Sequence, residues 1–499
     1  MLSNRNLFLG GRYNSFLPEV QAFLSSRNIE AYLVGGCVRD GLRGIITSDI
    51  DMAIGCDAVK TARQIADNLN GRFVLLDELH QVARTVLIDG EDRYNLDFAP
   101  LRGSIEEDLG KRDFTINAMA VRVGELHEGW NEAELIDPLD GIGDMEKRLI
   151  RACGDPVFID DPVRMLRAFR FAAELGFVID AGTETLVYQQ RSLLTQVSGE
   201  RIREELGHIL ETGKTAETLG NMDRLGILEV LFPDLANCKG VEQPKEHYWD
   251  VFDHSIETVA AVERLLAALN SDGDLLNSFI FSHEMAVHFR ERAGGALSRG
   301  ALVKLAALLH DIAKPQTREF DPNHGKIRFL GHAQRGAGIA DSILQRLRFS
   351  SHERGIVSRM IDQHLRPGHL SNAPELPTKR AIYRYFRDTG EVGIDTLLLS
   401  LADHLATRGP AFEMEGWQEH LEVTRYMLTK RFEDEAVVSP PKLIDGHVLM
   451  ERFGLAPGPE IGEILEAVRE ARASGEIETQ EEALDFARKE LERKYANQR

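Results

Sequence analysis

Cysteine is scarce: Cys37, Cys56, Cys153 and Cys238 are the four in 499 residues, and none forms a CxxC pair. That excludes a disulfide scaffold and a cysteine zinc site and fits reduced thiols in the cytoplasm. No apolar run approaches the roughly 20 residues needed to cross a bilayer, so no membrane partner is expected. Met1 to Tyr13 holds two arginines and no long apolar stretch, unlike a secretory signal. Repeats and low-complexity tracts are missing. Basic residues fall short of acidic ones, 59 against 80, for a net charge of −21. Such an anion is repelled by nucleic acid at long range, so RNA would have to be gripped by a local basic strip. What remains, 43% apolar and 28% charged, is ordinary for globular protein. The length accommodates about three domains at roughly 150 residues each.

The patterning changes along the chain. Ala31 to Val34, Thr47 to Ile54, Arg72 to Leu76, Ala83 to Ile88 and Tyr94 to Phe98 read as strands. Residues 14–30, a stretch from about Val38, and Ala58 to Leu69 have helical spacing. The first part, to about Ile150, is therefore α/β. After Asp160 the strand signals nearly vanish. Pro162 opens a helix at a favoured first-turn position, and apolar residues recur at helical spacing to Ile227. Pro233, Asn237 and Gly240 mark a boundary. Asp253 to Lys430 reads as helices, with loops at Ser271 to Asp274 and Asp321 to Gly325. A last piece starts at Ser439-Pro440-Pro441 and ends in a charged helix from Thr479 to Tyr495.

Asp49 and Asp51 flank Ile50 on a predicted strand, where residues two apart share a face. Two carboxylates so placed suit Mg²⁺, the hard cation that bridges nucleotide phosphates. Upstream, Gly35 and Gly36 permit close backbone approach to a triphosphate. The helix that follows turns its N-terminus to anions, and Arg39 suits phosphate oxygens. Asp97, on a later strand, completes a set able to hold two ions, which would stabilise an attacking hydroxyl and a leaving pyrophosphate. A lone DxD is often a strand end and a lone Gly-Gly a turn; it is their order and spacing together that carry the reading.

Asp161 and Arg164 are three apart on a predicted helix and so share one face. Aspartate accepts hydrogen bonds and arginine donates them. Cytosine and adenine each present an amine donor beside a ring-nitrogen acceptor, whereas guanine and uracil present the reverse. A mismatched base leaves polar groups unpaired in a dry pocket, which is costly. The pair can therefore choose C and A without a template strand; it also has the spacing of an ordinary helix ion pair. Arg167 and Arg170 follow on the same helix.

Four ordered motifs carry a resemblance. They are Leu33-Val-Gly-Gly-Cys-Val-Arg-Asp40, Asp49-Ile-Asp51, Asp108-Leu-Gly-Lys-Arg-Asp-Phe-Thr-Ile-Asn-Ala-Met-Ala120, and Asp160-Asp-Pro-Val-Arg-Met-Leu-Arg-Ala-Phe-Arg-Phe171. Together they resemble the bacterial tRNA nucleotidyltransferase and poly(A) polymerase family, class II of the CCA-adding enzymes. The resemblance implies Asp49 and Asp51 as Mg²⁺ ligands, Gly36 and Arg39 at the triphosphate, and Arg112 and Asp113 at the incoming ribose. It assigns base selection to Asp161 and Arg164 and makes Arg167 a further nucleotide contact; Arg170 is either another or a brace for the helix. Without the surrounding motif, Arg112 and Asp113 would read as a surface ion pair. Glu200-Arg-Ile-Arg-Glu-Glu-Leu206 resembles the last neck motif, with a structural and hinge role.

His254, then His310-Asp311 within Leu308-Leu-His-Asp-Ile-Ala-Lys314, then Asp403 follow the order H…HD…D. This resembles the HD phosphohydrolase superfamily, and His332 and His364 fall where its two-metal members carry extra ligands. Mixed imidazole and carboxylate donors suit Mn, Fe, Co or Ni, and a metal there would activate water against a phosphoester. His80, His324, His352 and His404 read as ordinary. Leu443-Ile-Asp-Gly-His-Val-Leu and Pro457-Gly-Pro-Glu-Ile-Gly462 resemble the tail of HD-bearing tRNA nucleotidyltransferases. There, backbone N–H groups would meet an RNA phosphate, unless the segment is a plain loop–helix junction.

The expected architecture is multidomain. An α/β head of the polymerase-β nucleotidyltransferase type (1–150) precedes an all-α neck (151–230), an HD body (231–430) and a helical tRNA-binding tail (431–499). The expected partners are CTP, ATP and the tRNA acceptor arm. The stretch between Asp97 and Asp108 is shorter than in full CCA-adding relatives and resembles enzymes that add only CC; on the sequence the two are close to even. A poly(A) polymerase is disfavoured by the acidic C-terminus. A phosphohydrolase with a nucleotide-sensing head and a pure RNA-binding module are the rival classes, and both leave Asp49, Asp51 and Asp97 without a task.

Overall fold

In the computed structural model the described residues are 16–45, 47–90, 92–126, 134–244, 247–269, 282–373, 375–409 and 414–496. The expected loop at Ser271 to Asp274 and the start of the expected first helix lie outside them. The chain forms two compact units. One comprises Met1–Val197 with Leu225–Ile227, the other Ser198–Arg224 with Leu228–Arg499. The residues expected to form one neck are thus shared between the two units.

The first unit is built on seven strands: β1 (Ala31–Val34), β2 (Asp49–Ile54), β3 (Arg72–Asp77), β4 (Val82–Asp89), β5 (Asp92–Pro100), β6 (Ala120–Arg122) and β7 (Leu135–Ile136). Their order is β3-β4-β5-β2-β1-β6-β7. Only the β2–β5 pairing is parallel, with Asp51 opposite Asp97; β1 runs antiparallel to β2, with Val34 opposite Asp51. The apolar residues of β2, Ile50, Met52, Ala53 and Ile54, are all buried. The helix Ala58–Asn68 is capped by Asp57 on the Lys60 N–H. It covers the sheet with Ala62, Ile65 and Ala66, and Thr85 of β4 ties to it by donating to the Ala62 carbonyl at 2.8 Å.

Two readings from the sequence are corrected here. Asp161 is not helical: the chain breaks between helices Val157–Asp160 and Arg164–Leu175, and Asp161 is extended at φ −150°, ψ 98°. The cause is Pro162, whose ring disfavours the α region for the residue before it. Strands also persist beyond Asp160. β8 (Leu149–Ile150) pairs in parallel with β9 (Val178–Ile179), and β10 (Arg318–Asp321) with β11 (Lys326–Phe329) forms a hairpin around the expected turn. These strands are two to four residues long, too short to impose a two-residue alternation on the pattern.

The second unit is otherwise helical. At its centre, helix Arg299–Leu309 is buried at every position. The charges it carries inside are matched. Arg299 donates to Asp395 at 2.6 Å, and Lys304 donates to the Leu210 carbonyl at 2.9 Å. Helices Val251–Ala268, His332–Arg346, Ser351–Gln363 and Gly393–Thr407 belong to the same unit. Toward the C-terminus, helices Gly446–Phe453, Pro459–Ser474 and Gln480–Ala496 enclose a core that includes Leu449, Ile464, Val468 and Ala487. No helix among the described residues is long and apolar enough to cross a membrane.

Gly141 has no room for a side chain. A Cβ there would lie 2.4 Å from the Thr115 carbonyl oxygen and 3.0 Å from the Met119 side chain. Gly141→Ala should therefore destabilise the head by about 1–3 kcal/mol, read as a lower thermal midpoint of the transition that carries the head.

Candidate active site and candidate metal centre

The parallel register of β2 and β5 sets Asp51 beside Asp97 on one row of the sheet, and Arg84 of β4 faces Asp97 from the other side. Arg84 donates through Nε to Asp97 Oδ1 at 2.6 Å and through Nη2 to Oδ2 at 2.8 Å. Asp49 accepts from Asn95 Nδ2 at 2.7 Å. Burial and the charge of Asp97 push the Asp51 carboxyl up to about 6; Arg112 opposes this and Asp49 adds to it. An anion held at such cost among other anions is a fitting seat for a hard divalent cation.

Gly35 closes the site from β1. At φ +77° it adopts a conformation that L side chains rarely take. A Cβ there would lie 3.1 Å from Arg112 Nη1 and 3.2 Å from Asp51 Oδ2. The helix Gly36–Leu42 begins directly after it with no side-chain cap. Arg39 does not project freely. It donates to Asn117 Oδ1 at 2.8 Å and makes a two-pronged pair with Asp40 at 2.9 Å. Its guanidinium, with those of Arg167 and Arg170, surrounds the Phe171 ring at 5.3, 5.2 and 4.5 Å from the centroid. This gathers three cations that the sequence scatters over two motifs.

Asp113 and Arg112 part company. Asp113 is buried and accepts from the Phe114 N–H at 2.8 Å, Asn117 Nδ2 at 3.1 Å and Arg167 Nε at 2.9 Å. Burial alone would raise its pKa, but Arg167 and Asn117 outweigh that and hold it below the usual carboxylate range. Arg112 reaches Asp108 at 3.3 Å, and its Nε is buried with no hydrogen-bond partner among the described residues. Arg164 Nη1 is in the same condition. Arg112, Asp113 and Arg164 all act electrostatically on Cys153. Asp161 precedes that helix, and its carbonyl accepts from the Arg164 N–H at 3.1 Å.

In the second unit the six expected ligands do converge. His254, His310 and Asp403 bring one ligand atom each within 4.8 Å of one another, as do His310, Asp311 and His364. Asp311 is central. His310 Nε2 is 3.1 Å from its Oδ2, and His332 Nε2 and His364 Nε2 are 3.3 and 4.0 Å from its Oδ1. The Nδ1 atoms of His310, His332 and His364 bond the Ala307, Phe329 and Ile361 carbonyls at 2.8, 2.7 and 2.6 Å. That orients each ring with its Nε2 toward Asp311, the arrangement outer partners give metal-ligating imidazoles. These three Nε2 atoms and both Asp311 oxygens are buried without a well-aligned hydrogen bond. The donor set fits a transition metal. Burial pushes His364 down to about 3, whereas His310 and Lys314 hold Asp311 well below the usual carboxylate range despite its burial.

The sequence missed several neighbours. Arg84 lies in a strand with no motif around it. Lys314, whose Nζ is 2.6 Å from Asp311 Oδ2, sits three residues on in the same turn, a spacing that could have exposed it. His404, read as ordinary, lines a cavity of about 600 Å³ over the ligand cluster, together with Arg328, Arg408 and His420. It stacks on His420 with ring centroids 5.3 Å apart; the two are sixteen positions apart in sequence, so no local pattern announces the pair.

A polymerase-type sheet carrying paired carboxylates, on a chain whose helical body gathers HD-order ligands, defines a nucleotidyltransferase with an HD domain. Comparison with known proteins agrees. Residues 31–151 match the Poly A polymerase head domain, 176–239 an RNA-binding-site profile of polymerase A, 251–408 the HD domain and 413–487 the second domain of tRNA nucleotidyltransferases. Similar proteins include the A-adding tRNA nucleotidyltransferase of Deinococcus radiodurans, 33% identical over 92% of this chain and 95% of that protein. Another is the CC-adding tRNA nucleotidyltransferase of Thermus thermophilus, 33% identical over 92% and 93%. The Thermotoga maritima CCA-adding enzyme complexed with tRNA has the same fold, with TM-score 0.61 and 22% identity over 97% of this chain and 96% of that one. The chain belongs to the tRNA nucleotidyltransferase family, as its four motifs imply. Its head and HD families are metal-dependent.

Arg167→Met should strand the Asp113 carboxylate. The expected cost is roughly 2–3 kcal/mol, below that of a fully enclosed pair because Arg167 is partly open to water. Adding Asp113→Asn should recover much of it, as thermal unfolding of the single and double variants would reveal.

Proposed function

We propose that the protein is a template-independent tRNA 3′-end nucleotidyltransferase that adds C, A or both from CTP and ATP. The observation that carries this is the row Asp51–Asp97 beside Gly35, where Arg112 also approaches, with Arg112 Nε and Arg164 Nη1 both buried and lacking a hydrogen-bond partner among the described residues. In the reaction the tRNA 3′-oxygen bonds to the α-phosphorus, the α–β bridging bond breaks, and pyrophosphate leaves. Asp49 and Asp51 would hold Mg²⁺, which supplies charge neutralisation for the phosphates. Gly35 and Gly36 leave the backbone open to the triphosphate, and Arg39, Arg167 and Arg170 line its approach. Asp161 and Arg164 match the amine and ring nitrogen that C and A share. Residues 1–150 act as head, 151–230 as neck, and 431–499 as the tail that grips the acceptor arm by shape and backbone charge.

The connection after β5 favours addition of C alone. Gly103 turns at φ +88°, and Ser104 opens helix Ile105–Leu109 with a capping box: its hydroxyl accepts from the Glu107 N–H and Glu107 accepts from the Ser104 N–H. A link so short, entering a capped helix directly, leaves little free chain with which to reshape the pocket from C to A. The body, 231–430, adds a metal-dependent phosphohydrolase for esters such as 2′,3′-cyclic phosphates. His254, His310, Asp311, His332, His364 and Asp403 would hold Mn, Fe, Co or Ni there.

Incubating the protein with tRNA that lacks its 3′ end, supplying CTP and ATP separately and together, and sequencing the products tests the first reading. C should be added and A should not; addition of A to a CC end would refute the C-only assignment. Asp49→Ala should abolish incorporation. Asp161→Ala with Arg164→Ala should reduce C-over-U preference by at least about tenfold. Replacing His310 and Asp311 by Ala should remove bound transition metal, measured by elemental analysis of the purified protein, and cyclic-phosphate hydrolysis, while sparing nucleotide addition.

A further inference from the structure

We infer that Arg84 is a positioning residue of the nucleotidyl-transfer site: it occupies Asp97 and thereby sets how tightly the head holds its divalent cation. The inference rests on the proposed reading of the head as a metal-dependent nucleotidyltransferase.

Three facts carry it. First, pairing places Arg84, Asp97 and Asp51 opposite one another across β4, β5 and β2, so their side chains stand on one face in one row. Second, the Arg84 fork takes both oxygens of Asp97, at 2.6 and 2.8 Å, a planar fit that a lysine cannot reproduce. Third, the other two carboxylates are treated differently. Asp49 meets only the neutral amide of Asn95, its register partner, and Asp51 makes no side-chain hydrogen bond among the described residues. Three carboxylates alone would give the site a charge of about −3; Arg84 brings it to about −2, and Arg112 beside Asp51 reduces the negative charge further. Asp49 and Asp51 are left open to a cation, while Asp97 is held still and its charge is matched by the protein itself.

The physical consequence concerns turnover. Asp49 and Asp51 would have to hold a divalent ion without trapping it while triphosphate is exchanged for pyrophosphate. A third free carboxylate would bind it more tightly and hold it longer. Arg84 removes that excess charge without removing Asp97 from its place beside Asp51.

The test is Mn²⁺ binding to the full chain, followed by electron paramagnetic resonance of the free ion. Asp311→Ala should be present so that the body contributes no binding, and the titration is repeated with Asp311 intact. Arg84→Met should tighten Mn²⁺ binding about tenfold and lower, in parallel, the Mg²⁺ concentration for half-maximal CTP incorporation. Arg84→Lys, which keeps the charge, should return binding to within about threefold of the unsubstituted chain. In an Asp97→Asn background Arg84→Met should have a much smaller effect, because only the field of Arg84 at Asp49 and Asp51 remains, which separates action through Asp97 from general damage to the sheet. Unchanged or weaker Mn²⁺ binding in Arg84→Met, or an effect of the same size with Asp97→Asn, would overturn the inference alone. A head that binds no Mn²⁺ in any of these chains would overturn the proposed function with it.

Discussion

Like charges brought together away from water repel, and both candidate sites are organised around that constraint. In the head, parallel pairing of β2 with β5 forces Asp51 against Asp97. The arrangement is tolerable because Arg84 matches one carboxylate, Asn95 bonds another, and Arg112 approaches the third. Burial is what raises the stakes. In water the carboxylates would interact weakly, whereas on this sheet their mutual field is strong enough to move a titration.

The body meets the same constraint with imidazoles. Asp311 lies fully inside, and its negative charge is compensated by Lys314 and by rings whose Nε2 atoms face it. Main-chain carbonyls fix three of those rings by accepting from Nδ1. The protein thus prepares ligand directions with backbone that is already ordered by helices and by the hairpin end at Phe329. Ligand geometry here is a by-product of ordinary hydrogen-bond satisfaction.

Much of this was legible beforehand where chemistry and order coincide. The paired Asp49 and Asp51, the Gly35-Gly36 turn and the H…HD…D series are residue types that their order and spacing along the chain already mark, and the first five strands follow from short apolar or alternating runs between turn residues. Readings failed where a local rule was outweighed. Pro162 cancels the helical turn that three-residue spacing assigns to Asp161. The bond of Arg39 to Asn117 was likewise beyond local pattern, since the two residues lie in different motifs. The short strands β8 to β11 have too few residues for a period to emerge.

The amino-acid sequence by itself determined the inventory of acids, guanidiniums and imidazoles, their order, and the periodicities that make the head α/β and the rest helical. Only the tertiary structure decided that Arg84 answers Asp97, that Arg39, Arg167 and Arg170 share the Phe171 ring, and that His404 stacks on His420 over the Asp311 cluster. Those pairings follow from strand register and helix packing, which join residues far apart along the chain. Local spacing carries no information about which distant side chain will be available to neutralise a buried charge.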